Sequence, residues 1–249
     1  MASLSSNQIK FIRSLSQKKY RQESGLFVVE GEKLVQEALD SKFNVKAVYR
    51  IDEIGPECMK RISNLATPSP VLAIVEQCNE KFSFNKKKLL ESLRQSNTQL
   101  FLALDGVKDP GNLGTIIRLA DWFGIDAIFA SEESVEMYNP KVVQSTMGAI
   151  FRKPVIYTNL SEVVDTFTEA GLPVYGTFLD GENIYNCNTS KMKNGLIVMG
   201  SESFGISEEL EQKITSKLLI PPYPANAQTS ESLNVAIATA IICAEFRRP

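Results

Sequence analysis

Residues 100–104, Leu-Phe-Leu-Ala-Leu, are apolar without interruption. A strand with one face in water alternates apolar and polar side chains, so an unbroken run marks a strand covered on both faces, as inside a helix-flanked parallel sheet. The same kind of signal recurs downstream. Strands are expected at Asp126–Ala130, Pro173–Phe178, Gly195–Gly200 and Lys217–Pro221, with helices near Lys141–Met147, Leu160–Ala170, Ile206–Ile214 and Ser232–Phe246. After the first strand, Ile116, Leu119, Ala120 and Phe123 repeat at helical spacing, and Gly124 supplies the stop. This half of the chain therefore reads as an α/β domain of the doubly wound type, with ligand loops at the carboxyl ends of its strands.

The first part is smaller and differently charged. A helix is expected over Asn7–Leu15, then a basic segment, a strand in "LFVVEG", and a helix over Glu32–Leu39 with Leu34, Val35, Ala38 and Leu39 on one face. Strands follow at Val45–Tyr49 and Val71–Glu76, which makes a compact αβ unit. The polar stretch "NEKFSFNKKKLLESLRQSNTQ" breaks the pattern, and a boundary in its second half gives domains over residues 1–95 and 96–249. Residues 1–97 hold 16 Lys and Arg against 11 Asp and Glu, whereas residues 98–249 hold 11 against 18. That asymmetry points a polyanion at the first part, with Lys18, Lys19 and Arg21 as phosphate-contact candidates.

Among 249 residues there is no histidine, which removes Ser-His-Asp triads, His-Glu-x-x-His metal sites and imidazole acid–base chemistry together. The four cysteines form no Cys-x-x-Cys pair, so no metal is expected. The start lacks the apolar core of a signal peptide, and the most apolar run, Leu233–Phe246, is too short to span a bilayer. A cytoplasmic protein without a membrane partner is the expectation.

Three loops follow three expected strands. The first, "DGVKDPGNLG", has the glycine spacing of a phosphate loop but Asn112 and Leu113 where the lysine and hydroxyl would stand. Asp109-Pro110-Gly111-Asn112 is a turn and helix-cap signal, and Arg118 is placed back toward the loop by one and two-thirds helical turns. The second, "MGSESFGIS", brings a strand into glycine and sets one carboxylate, Glu202, at the strand end. The third runs from Ile220 through a proline-rich arm to "SESLN", where Ser230 or Ser232 is expected to cap a helix. Capping leaves Asn234 unexplained, a polar residue opening an apolar helix.

In this order and spacing, "DGVKDPGNLGTIIRLADWFG", "VMGSESFGIS" and "IPP…SESLNVAIATAI" resemble the three signature motifs of the SpoU family of RNA methyltransferases, within the SPOUT superfamily and its TrmH- and RlmB-like members. The segment "YNPKVVQSTMGAIFRKPV" and the amino-terminal "ESGLFVVEGEKLVQEAL" resemble family segments as well. The resemblance implies an S-adenosylmethionine-dependent enzyme that methylates a ribose 2′-hydroxyl in structured RNA, ribosomal RNA first and transfer RNA second. It implies a SPOUT-type parallel sheet with a trefoil knot, a small α/β RNA-binding domain before it, and a homodimer. By position, Gly200, Ile220 and Leu233 would contact the methyl donor, and Asn112, Arg118, Glu202, Ser232 and Asn234 would form the catalytic set. Base methylation and a non-catalytic RNA-binding role are the competing readings.

Overall fold

A computed structural model of the chain describes residues 4–78, 83–96, 98–187, 192–224 and 232–248. The backbone contacts divide it into two compact units, residues 1–81 with 136–152 and residues 82–135 with 153–249. This differs from a single boundary at 95/96: the later segment Glu136–Arg152 folds with the amino-terminal unit.

The first unit holds α1 (Ser6–Ser14), α2 (Lys18–Ser24), β1 (Leu26–Glu30), α3 (Glu32–Leu39), β2 (Val45–Arg50), α4 (Ile51–Ile54), α5 (Pro56–Ile62) and β3 (Val71–Glu76). Its sheet has the order β1-β3-β2, and both pairings are antiparallel. The central strand β3 is buried from Val71 to Val75, which accounts for its unbroken apolar sequence. On α1, Ser5 and Gln8 form a reciprocal capping box, and Ile9, Ile12 and Leu15 pack with Met59, Ile62, Leu72 and Ile74. The segment 136–152 includes the helix Pro140–Ser145, α8 in chain order. It is held by aromatic contacts, with Tyr138 at 4.6 Å from Phe27 and Phe151 at 5.2 Å from Phe43 between ring centroids.

Arg21 departs from its expected role as a phosphate contact. Arg21 is 2% exposed, pairs with Glu136 through Nε and Nη2, and donates from Nη1 to the Leu15 carbonyl at 2.8 Å. Its guanidinium is a buried structural group, because α2 turns it inward where an unbroken basic segment suggested an outward side chain. Lys18 and Lys19 stay exposed on the same helix.

The second unit is a six-stranded sheet ordered β6-β5-β4-β8-β7-β9, with every strand pairing parallel. Its strands are β4 (Leu100–Asp105), β5 (Ile128–Ala130), β6 (Val155–Tyr157), β7 (Val174–Asn183), β8 (Gly195–Gly200) and β9 (Ser216–Leu219). The helices are α6 (Lys86–Gln95), α7 (Pro110–Trp122), α9 (Leu160–Glu169), α10 (Glu208–Glu211) and α11 (Val235–Phe246). Both α6 and α9 pack in this unit, and Leu89 and Leu93 join Phe101, Phe129 and Phe167 in one core. Helix α6 lies in the stretch whose polar composition suggests a domain boundary, since only a narrow stripe of it is apolar. Strands β4 and β8 lie side by side in register up to Asp105 opposite Gly200. The first two loops therefore leave the sheet next to one another.

Candidate active site

Each loop is shaped by its own residues. Asp109 caps α7, its Oδ1 accepting from the Asn112 N–H at 2.8 Å, and Pro110 occupies the first helical turn. After β8, Ser201 and Gly205 exchange two backbone hydrogen bonds at 3.0 and 2.9 Å, which clasp residues 202–204 into a closed turn. Gly205 has φ of +67°, and a methyl group at Gly200 would overlap the Gly205 backbone, so the clasp requires both glycines.

The third loop departs from expectation. Helix α11 begins at Val235, and its cap is Asn234, whose Oδ1 accepts from the N–H groups of Ala236 at 3.0 Å and Ile237 at 3.3 Å. Ser232 is therefore not the cap, and Ser230 lies outside the described residues. The polar residue that capping left unexplained is the capping residue.

This assignment orients the site. With its oxygen committed to two backbone donors, Asn234 can offer only Nδ2, which donates to Asn112 Oδ1 at 3.0 Å. Asn112 in turn offers its Nδ2 to Glu202 Oε1. Three expected catalytic residues from three loops thus form one chain of hydrogen bonds, anchored on a helix terminus. The second oxygen of Glu202 has no partner among the described residues and remains an acceptor for a hydroxyl.

A cavity of about 330 Å³ adjoins Glu202. Its lining includes Gly200, Ile220 and Leu233, the three expected donor contacts, together with Glu202 and Ser232. Thr177, Phe178 and Leu179 also line it, and the sequence reading missed them. They belong to an excursion of β7: its pairing with β9 jumps from Thr177 to Glu182, both opposite Leu218. The usable signal was Gly176 and Gly181 bracketing "TFLD". Lys217 steadies this wall, lying 4.5 Å from the Phe178 ring centroid and bonding Glu211 at 2.5 Å and Asp180 at 3.5 Å. The Glu211 bond is the main reason the Lys217 ammonium is held above the ordinary lysine range.

Arg118 stands apart. It is exposed on α7 and has no hydrogen bond or ion pair among the described residues. Six residues of helix place its Cα about 9 Å along the axis and about 120° around from Asn112.

The SpoU rRNA Methylase family model matches residues 99–244, and an MRM3-like substrate binding domain model matches residues 6–87. The chain is 31% identical over 260 residues to the 23S rRNA (guanosine(2553)-2′-O)-methyltransferase RlmP of Bacillus subtilis, with 98% of each chain covered. Among solved structures, an AdoMet-bound rRNA methyltransferase from Sinorhizobium meliloti superposes with a TM-score of 0.83 at 31% identity, over 100% of this chain and 97% of that one. A TrmH-family protein from Porphyromonas gingivalis gives 0.83 at 39% identity, with 99% of each covered. With its three motif loops joined by one chain of hydrogen bonds, the chain belongs to the SpoU rRNA methylase family.

Proposed function

We propose that this protein transfers the methyl group of S-adenosylmethionine to a ribose 2′-hydroxyl in ribosomal RNA, with a guanosine as the target nucleoside. The observation that carries the reading is the relay from Asn234 through Asn112 to Glu202 beside a cavity of about 330 Å³. The relative from B. subtilis supports it by the reaction its name states. S-adenosylmethionine, when bound, supplies an electrophilic methyl on a positively charged sulfur.

The residues present suit that donor. Phe178, Leu218, Ile220 and Leu233 give an apolar wall for an adenine ring, and the close backbone at Gly200 and Gly205 leaves room beside it. The chain's remaining task is alignment and charge stabilisation. Glu202 accepts from the attacking hydroxyl through its unpartnered oxygen, and the two asparagines hold that carboxylate in place. Ser232, on the cavity wall, adds a hydroxyl to the same edge. Arg118 stabilises negative charge on the ribose oxygen, an electrostatic role suited to a guanidinium. An in-line displacement aligned in this way requires no metal.

Arg118 is exposed and has no hydrogen-bond partner among the described residues, which leaves it available to the site of a second copy. The same helix exposes Trp122 to 83%, and the packed helix α11 exposes Ile237 to 53%. These exposed apolar side chains support a homodimer in which α7 and α11 meet their counterparts. The SPOUT trefoil knot is the arrangement proposed for the β7–β9 region. The amino-terminal domain is assigned to RNA, with Lys18 and Lys19 on phosphates. Among the described residues no helix is long and apolar enough to cross a membrane, and a cytoplasmic enzyme acting on ribosomes is the setting proposed.

Mapping of 2′-O-methylated positions in ribosomal RNA from cells with and without the protein tests the assignment. One guanosine position should lose its methyl group. Unchanged ribose methylation throughout the ribosomal RNA would overturn it.

A further inference from the structure

A second, larger cavity of about 680 Å³ opens at the carboxyl ends of β4, β5 and β6. It borders the clasped turn, as the donor cavity does, since Ser201 and Gly205 line both. The turn divides its side chains between them. Glu202 lines the donor cavity, and Phe204 lines the second. Phe204 is 86% exposed, although a large apolar side chain gains by burial, and its backbone N–H is fixed by Ser201 Oγ at 3.2 Å.

We infer that Phe204 is the stacking platform for the nucleobase of the target nucleotide, which the second cavity receives. This rests on the ribose methylation proposed above. A base is bonded to the sugar carbon next to the one that bears the reacting hydroxyl. A ribose whose hydroxyl meets Glu202 must therefore place its base against the same turn. RNA enzymes read such bases by splaying them from the strand and stacking them on aromatic rings, and Phe204 offers its ring at that point.

The lining favours a base over the phosphate backbone. Glu132, Glu133 and Glu209 face the cavity without ion-pair partners among the described residues, against the single cation Lys108. Carboxylates repel phosphate but accept from the N–H donors on a base edge, and guanine presents two adjacent ones at N1 and N2. Phe204 acts on the reaction by positioning, through the base, the ribose that Glu202 engages.

A synthetic ribosomal RNA fragment containing the mapped site, intact or with an abasic ribose at the target, tests this with the full-length wild-type enzyme and F204A, F204W and F204L. On intact RNA, F204A should lose roughly ten-fold or more in kcat/KM, mainly through KM. F204W should restore it and F204L should not, while S-adenosylmethionine binding by calorimetry stays at the wild-type level. On abasic RNA the wild type should fall by a similar factor, and F204A should add little further loss. Full activity of F204A or of F204L on intact RNA overturns the inference, as do fully additive losses from F204A and the abasic target. A wild-type enzyme inactive on the intact fragment instead brings down the methylation reading on which it rests.

Discussion

Asn234 donates through Nδ2 to Asn112 Oδ1 at 3.0 Å, joining residues 122 positions apart in the chain. The contact ties the cap of the last helix to the first motif loop, and it selects which end of the Asn112 amide faces Glu202. Asn234→Asp separates the two functions. Aspartate caps a helix about as well as asparagine, so thermal stability should stay near wild type. The amide donor is gone, however, and Asn112 loses its fixed orientation. Methyl transfer should drop by about 100-fold, as when a preorganised polar contact is removed, with donor affinity unchanged in calorimetry.

Gly200→Ala tests the clasp. A methyl group there meets the Gly205 backbone, so the turn must open and the donor cavity must deform. S-adenosylmethionine affinity should fall by about ten-fold or more, the size of one disrupted close contact. Circular dichroism should still report a folded protein, because the turn lies outside the sheet core.

Much of the second unit was legible because its signals are local. The buried strands Leu100–Leu104 and Gly195–Gly200 are continuous apolar runs, and α7 announces itself with Asp109-Pro110 at its start. What was hidden depends on partners distant in sequence. Helix α6 has a polar composition and an apolar stripe that matters only when it packs beside α9. Arg21 reads as a surface cation until Glu136, 115 residues away, is brought to it. The cap at Asn234 was misplaced because "SESLN" offers three good capping residues and local chemistry cannot choose among them.

The Arg21–Glu136 pair is expected to matter for stability. Removing one member leaves the other charge poorly compensated in a largely buried setting, at a cost of about 3–5 kcal/mol. Arg21→Met should therefore lower the unfolding midpoint in denaturant titration. Lys18→Ala should leave that midpoint alone and weaken RNA binding, with a reduced salt dependence.

Cys243 gives a prediction in pH. Burial in α11 pushes its thiol up to about 12, against about 8.5 for a free thiol. The folded state holds this proton more tightly than the unfolded one. Its contribution is fully present below about pH 8.5 and is lost as pH rises toward about 12, at up to ~1.4 kcal/mol per pH unit. Cys243→Val should flatten the alkaline fall in stability by that slope. At pH 8 the native Cys243 thiol should resist a disulfide reagent that reaches it readily after unfolding.

The central claim is that the Asn234–Asn112–Glu202 chain aligns a ribose hydroxyl for methylation. The direct measurement incubates the purified protein with methyl-labelled S-adenosylmethionine and ribosomal RNA from cells lacking it, followed by nuclease digestion and nucleoside analysis. The account predicts label in a single 2′-O-methylguanosine, and near-complete loss of that label with Glu202→Gln. Label on a base, or an undiminished signal from the Glu202→Gln protein, would contradict it.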